Sequence, residues 1–245
     1  LTEPFRISHV HGGGKCLITI PSQIGIQANE LRTVYSALEL FGKPSGPWKI
    51  VGPLRFSATY NEVTLVKTIP VMIGIPSDFP KHIPTVKEHL SSLITSFPHV
   101  NNDDKSFCLG TPIDLRMRFS KNPTLLFFVE ELLIPFLYSA FYWLENGVMP
   151  FPDRDHGPLG LLQDYCNHFQ VHDPDIVLNF LYILSHNQLH RVGQCPCGSG
   201  KDFKDCHAAI LQNVSAYRTN SEFGLDWCLI KTWRQIISSR YSQNK

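Results

Sequence analysis

Between Lys49 and Ile75 the chain reads KIVGPLRFSATYNEVTLVKTIPVMIGI, a run rich in β-branched and apolar residues that is broken once by a polar pair, Asn61-Glu62. β-Branched side chains are stiff and suit a pleated surface, and a two-residue polar break between such runs marks a tight reversal. The stretch predicts successive strands of an antiparallel meander with a hairpin at Asn61-Glu62. Upstream, ANELRTVYSALELFG places Leu31, Val34, Leu38 and Leu40 at near-helical spacing and predicts a helix that stops at Gly42. Downstream, PSDFPKHIPTVKE carries three prolines, which remove ladder donors and predict a rigid surface loop.

From Asn122 the periodicity turns helical. Asn122 or Pro123 is the expected start, Gly147 the expected end and Pro135 a kink between them. This apolar segment, TLLFFVEELLIPFLYSAFYWLENG, contains Glu130 and Glu131, which a membrane span rarely tolerates, so it reads as a buried helix. LLQDYCNHF and DPDIVLNFLYILSHNQLH repeat helical apolar spacing, and the C-terminal third is expected to be helical apart from one cysteine-rich stretch. Hydrophobic residues make up 43% of the 245, enough for a real core. With 22 basic and 21 acidic side chains the net charge of +1 supplies no global field for gripping a phosphate backbone, which disfavours generic nucleic-acid binding. Seven cysteines without disulfide-framework spacing point to a reducing compartment, and with no leader pattern at the start the expected location is the cytoplasm.

The cysteine-rich stretch is CPCGSGKDFKDCH. Cys195, Cys197, Cys206 and His207 offer three thiolates and one imidazole, a tetrahedral set whose natural occupant is zinc. Four protein ligands leave no open position, so the metal would be structural, while Gly198 and Gly200 allow the tight turns that bring backbone amides close to sulfur. The thirteen residues closely resemble the SEC-C motif, a small zinc module first described at the C terminus of the secretory motor ATPase and found on many unrelated proteins. That resemblance implies zinc on the same four residues and a role in docking proteins or stabilising a terminus, and it names no reaction.

A second candidate lies in FPHVNNDDKSFCLGTP. Cys108 follows a polar loop that starts at Asn101, a place where a thiol can be exposed enough to react, although free cysteine is more often buried and inert. His99, Asn101 and Cys108 stand in the order His-x-Asn, polar loop, Cys-Leu, downstream of the proline-rich segment. In sequence order the chain resembles the ubiquitin-conjugating fold: helix, four-stranded antiparallel meander, proline loop, His-Pro-Asn turn, acceptor cysteine, further helices. The departure is Val100 where that family usually has proline. ENGVMPFPDRDHGPLGLLQDY resembles a segment of bacterial members of this fold that occur in antiviral operons.

The expected architecture is therefore α+β, with a ubiquitin-conjugating-like domain over residues 1–165, matched best over 30–165, and a helical region over 166–245 carrying the zinc motif. The resemblance implies that Cys108 accepts an acyl group as a thioester and that Asn101 holds the turn and donates to an oxyanion. It makes His99 a residue of the turn, and His156 is expected to help deprotonate an incoming amine. Implied partners are an activating enzyme, a ubiquitin-like modifier or the C-terminal tail of a second-messenger synthase, and a protein target, with no direct nucleic acid and no membrane. The alternative is a catalytically inactive ubiquitin-conjugating fold or a SEC-C zinc adaptor that binds protein partners. Cys16, Cys166 and Cys228 are expected in the core, Asp103, Asp104 and Asp114 as solvated loop carboxylates, and His186 and His190 on one solvated helical face.

Overall fold

The computed structural model describes residues 5–8, 23–42, 47–152, 155 and 157–243, and it is mixed α+β: an antiparallel sheet with helices, followed by a helical C-terminal region. The chain divides into two compact units, one of residues 1–110 and 118–153, the other of residues 111–117 and 154–245.

In the first unit a short strand β1 (Arg6–Ser8) precedes α1 (Gln23–Val34), then β2 (Glu39–Phe41), β3 (Trp48–Tyr60), β4 (Val63–Ile75) and β5 (Thr85–Glu88). β2, β3, β4 and β5 pair successively and antiparallel, as a meander, and β1 also pairs with β3. β3 and β4 stay in register from Tyr60↔Val63 to Trp48↔Ile75, so the loop between them is the two residues Asn61 and Glu62. Both have positive φ, 46° and 65°, the conformation that a two-residue hairpin matched to strand twist requires. Leu54, Phe56, Ala58, Ile69, Val71 and Ile73 from these strands are buried.

The first helix is shorter than its apolar spacing predicts. It ends at Val34, and Leu40, expected on the helix, lies instead in β2, where Glu39–Phe41 pairs with Lys49–Val51. Sheet pairing outcompetes the helical pattern because the ladder satisfies the same backbone groups while Leu38 still reaches the core. The chain crosses β3 closely between helix and strand: a β-carbon on Gly52 would lie 2.1 Å from the Ala37 carbonyl oxygen.

After α2 (Pro112–Phe119), the long apolar segment forms one continuous helix, Leu125–Asn146, in three parts: α3 (Leu125–Phe127), a π-helical stretch Phe128–Leu133, and α4 (Ile134–Asn146). Its cap is Thr124 rather than Asn122 or Pro123: the Thr124 hydroxyl accepts from the Phe127 amide at 3.1 Å, and buried Gln27 accepts from the Leu125 amide at 2.9 Å. The helix closes on Gly147, as expected. Pro135 falls two residues after the π-helical stretch. Proline has no N–H for the carbonyl of Glu131 four residues back, and the Arg118 guanidinium donates to that oxygen instead, beside the π turn. By length and composition alone this helix is long enough to cross a membrane, yet Phe128, Val129, Leu132, Leu133, Leu137 and Tyr138 are almost wholly buried in the first unit.

In the second unit, α5 (Gly157–Phe169), α6 (Pro174–Ser185), α7 (Ala208–Ser215) and α8 (Asn220–Gln243) share one core. α6 starts with Asp173 as cap and Pro174 in the first turn. α8 opens with a reciprocal cap, Thr219 Oγ1 accepting from the Glu222 amide and the Glu222 carboxylate accepting from the Thr219 amide. Asp226 on α8 is buried and accepts from the Tyr165 hydroxyl at 2.6 Å and from Arg218 at 3.1 Å. Burial pushes its carboxyl above the usual range despite both donors.

Two glycine-related substitutions are expected to move stability in opposite directions. Gly52→Ala forces a β-carbon onto the Ala37 carbonyl and should cost about 3 kcal/mol, lowering the urea midpoint. Glu62→Gly relieves the left-handed residue of the hairpin and should stabilise by about 0.5–1 kcal/mol in the same titration.

Candidate functional site

The cysteine-rich stretch follows α6 and runs as an irregular loop into a short 3-10 turn, Phe203–Asp205, and then α7. Its fold is set by backbone bonds across the loop: the Cys195 amide donates to the Lys201 carbonyl at 2.8 Å, and the Phe203 amide to Gly193 at 2.9 Å. Gly198 and Gly200 both have positive φ, 79° and 74°, with open space around them, so it is backbone conformation and not crowding that calls for glycine there. Phe203 and Cys195 are buried in the core of the second unit beside Phe169, Phe180, Leu211 and Phe223.

The four expected ligands come together. One donor atom from each of Cys195, Cys197, Cys206 and His207 lies within 4.8 Å of the others. His207 Nδ1 is 3.3 Å from Cys195 Sγ and 3.1 Å from Cys206 Sγ, and the Cys197 and Cys206 sulfurs are 3.6 Å apart. A tetrahedral ion with metal–sulfur bonds of about 2.3 Å and a metal–nitrogen bond of about 2.0 Å sets donor–donor edges of roughly 3.5–3.8 Å. The donor set and its spacing therefore suit a metal ion.

The imidazole is prepared for that task. Its ring packs 4.8 Å from the Phe180 ring, and burial holds its pKa below the usual histidine range, toward the neutral form that binds metal. A hydrogen bond with the Phe169 backbone acts the other way, as only an acceptor carbonyl does. Burial pushes the Cys195 thiol up to about 11. Against opposing burial, hydrogen bonds from Ser199 and the neighbouring thiols bring Cys197 down to about 7.

The second candidate belongs to the first unit. Residues 99–108 form a tight loop in which the Cys108 amide donates to the His99 carbonyl at 2.8 Å and Val100 bridges Phe107. The Phe107 amide donates to Val86 of β5 at 2.8 Å, and the Phe107 and Phe97 rings pack on Phe136 of α4 at 4.9 and 5.4 Å. Sheet edge and helix together hold the loop. Asn101 donates through Nδ2 to Ser106 Oγ at 2.8 Å, and Ser106 donates to Asp104 through both hydroxyl and amide, at 2.7 and 2.9 Å. Those two bonds hold the Asp104 carboxyl below its usual range. Cys108 is half-buried and its His99 neighbour lies 5.2 Å from the Phe97 ring, centroid to centroid. Chemically, the loop offers a partly accessible thiol two rungs from a carboxamide held by Ser106.

His156 and Cys16 lie outside the described residues. Asp103 and Asp104 are exposed loop carboxylates, whereas Asp114 sits on α2 in the second unit. His186 and His190 do not share a helix: α6 ends at Ser185 because Asn187 turns left-handed at φ 53°, and both histidines are exposed beyond it. Cys228, expected in the core, is exposed, since the buried face of α8 passes through Phe223, Asp226 and Ile230. Two contributors went unread in the sequence. Ser199 was signalled by its place between the two glycines of the ligand loop, while the Phe169 carbonyl, being backbone, leaves no signal.

Residues 194–209 match the family described as the SEC-C motif. No curated protein and no solved structure matches the chain.

Because Cys195 and Phe203 are part of the second unit's core, the metal is expected to support the whole unit and not the loop alone. Elemental analysis of the purified chain should find one tightly held metal equivalent, lost in Cys195→Ser. Chelation should lower the melting temperature by about 10 °C or more with loss of far-ultraviolet helical signal.

Proposed function

We propose that the first unit carries acyl groups on Cys108 as a thioester and passes them to an amine of a target protein, in the manner of ubiquitin-conjugating enzymes, and that the second unit binds a structural zinc at Cys195, Cys197, Cys206 and His207. The observation that carries the first part is an order of elements: helix α1, an antiparallel meander, the proline-containing segment 76–84, and a loop that sets Cys108 against His99 two residues from Asn101. The second part is supported by the donor geometry and the match of residues 194–209 to a zinc-binding module.

On this reading Cys108 thiolate attacks the carbonyl carbon of a thioester presented by an activating enzyme, and the donor thiolate leaves. The amine of the target then attacks the Cys108 thioester, a C–N bond forms, and Cys108 departs as thiolate while the amine proton goes to solvent. One N–H of the Asn101 amide is held by Ser106, which fixes the carboxamide plane so that the other can meet the oxyanion. The cargo is a ubiquitin-like modifier or the C-terminal tail of a second-messenger synthase, and the setting a cytoplasmic bacterial antiviral system. His99 serves the turn.

The test is an adduct. Mixed with the activating enzyme and modifier encoded beside it, the wild-type chain should form a covalent adduct cleaved by dithiothreitol. Cys108→Ala should abolish it, and Cys108→Ser should give an adduct resistant to reductant. A wild-type chain that forms none with any such pair removes the catalytic reading.

A second reading, an adaptor that docks proteins through the zinc module, is favoured by the SEC-C match at residues 194–209. It expects reversal of the exposed Lys201 and Lys204 to Glu to abolish biological activity while Cys108→Ala leaves it intact.

A further inference from the structure

The metal cluster has a buried side and an open one. Cys195 is buried, whereas Cys197 and Cys206 are only partly covered, and their sulfurs form a 3.6 Å edge toward solvent. Ser199 sits on that edge. Its hydroxyl oxygen lies 3.2 Å from Cys197 Sγ and 3.4 Å from Cys206 Sγ, so it spans both sulfurs at once. The Lys201 amide donates to the same oxygen at 3.4 Å. Left-handed Gly198 and Gly200 on either side turn the loop so that the serine, and not a backbone carbonyl, meets the sulfur pair.

Ligand sulfurs are deprotonated when they hold a metal and can then only accept. Beside the Ser199 amide, which also acts on Cys197, the Ser199 hydroxyl supplies a proton that this edge can accept. An O–H···S contact withdraws charge from a thiolate, lowers the repulsion between two anionic sulfurs held close together, and shields them from an incoming chelator. We infer that Ser199 is a positioning residue of the metal site, not a ligand, whose hydroxyl caps the Cys197–Cys206 edge and controls how firmly the metal is retained. This deepens the zinc reading above and rests on it.

The experiment uses the full chain loaded with zinc, a chromogenic pyridylazo-resorcinol chelator to follow release, and a cobalt-substituted sample to read the sulfur-to-metal charge-transfer band. Ser199→Ala should release zinc about tenfold faster than wild type, with the band moved to lower energy. Ser199→Gly, which removes the hydroxyl in a different way, should do the same, and Ser199→Thr, which keeps it, should match wild type in both. Far-ultraviolet circular dichroism confirms that each variant retains its helices. If Ser199→Ala and Ser199→Gly release zinc at the wild-type rate with an unmoved band, or if Ser199→Thr behaves like them, the role assigned to the hydroxyl is wrong while the metal site stands. A wild-type chain that takes up no stoichiometric zinc or cobalt overturns the zinc reading and this inference together.

Discussion

The first unit is organised by the need to cover one apolar helix. Leu125–Asn146 is too hydrophobic to face water, and the meander, α1 and the loop of residues 97–107 each supply part of its cover. Phe136 is where that cover meets the candidate thiol: the Phe97 and Phe107 rings close on it from either end of the loop. Aromatic contacts of this kind, one stacked and one edge-to-face, contribute about 0.5–1.5 kcal/mol each beyond burial, enough to hold a short loop in one conformation. The position of Cys108 is thus inherited from core packing one residue away. The Asn101–Ser106–Asp104 chain holds the polar part of the same loop.

The second unit solves a different problem. The segment between α6 and α7 has no regular structure beyond a single 3-10 turn, yet it contributes Cys195 and Phe203 to the core. A few backbone bonds across the loop shape it, and the four-donor cluster gives it a fixed centre. The Phe169 carbonyl and the Phe180 ring tie that centre to α5 and α6 through His207. The module is therefore interleaved with the helices around it.

The features legible in the sequence were those encoded by adjacent residues. The Asn61-Glu62 hairpin, the terminus at Gly147 and the Cys/His cluster each depend on a short run whose chemistry admits few alternatives. Features decided by distant partners were not. Leu40 leaves the helical pattern because β3 offers it a ladder, Thr124 caps the long helix where Asn122 was expected, and Cys228 turns outward because the core face of α8 is chosen by Phe223 and Ile230. The Thr219–Glu222 cap shows a third case, a signal present in plain spacing and overlooked. At the candidate thiol, the order of elements was readable, while the Asn101–Ser106–Asp104 chain depended on a loop geometry that no spacing rule specifies.

The π turn ahead of Pro135 has an evolutionary reading. A π turn accommodates one residue more than an α turn, so it is what remains when a helix absorbs an insertion without breaking. Every side chain beyond it is rotated by about 100° relative to an uninterrupted helix. Phe136 lies beyond it, and so faces the loop of Cys108 because of that extra residue. A chain lacking one residue in 128–133 would present a different side chain at this position, which makes the length of the helix, and not only its composition, a property on which the placement of the thiol depends.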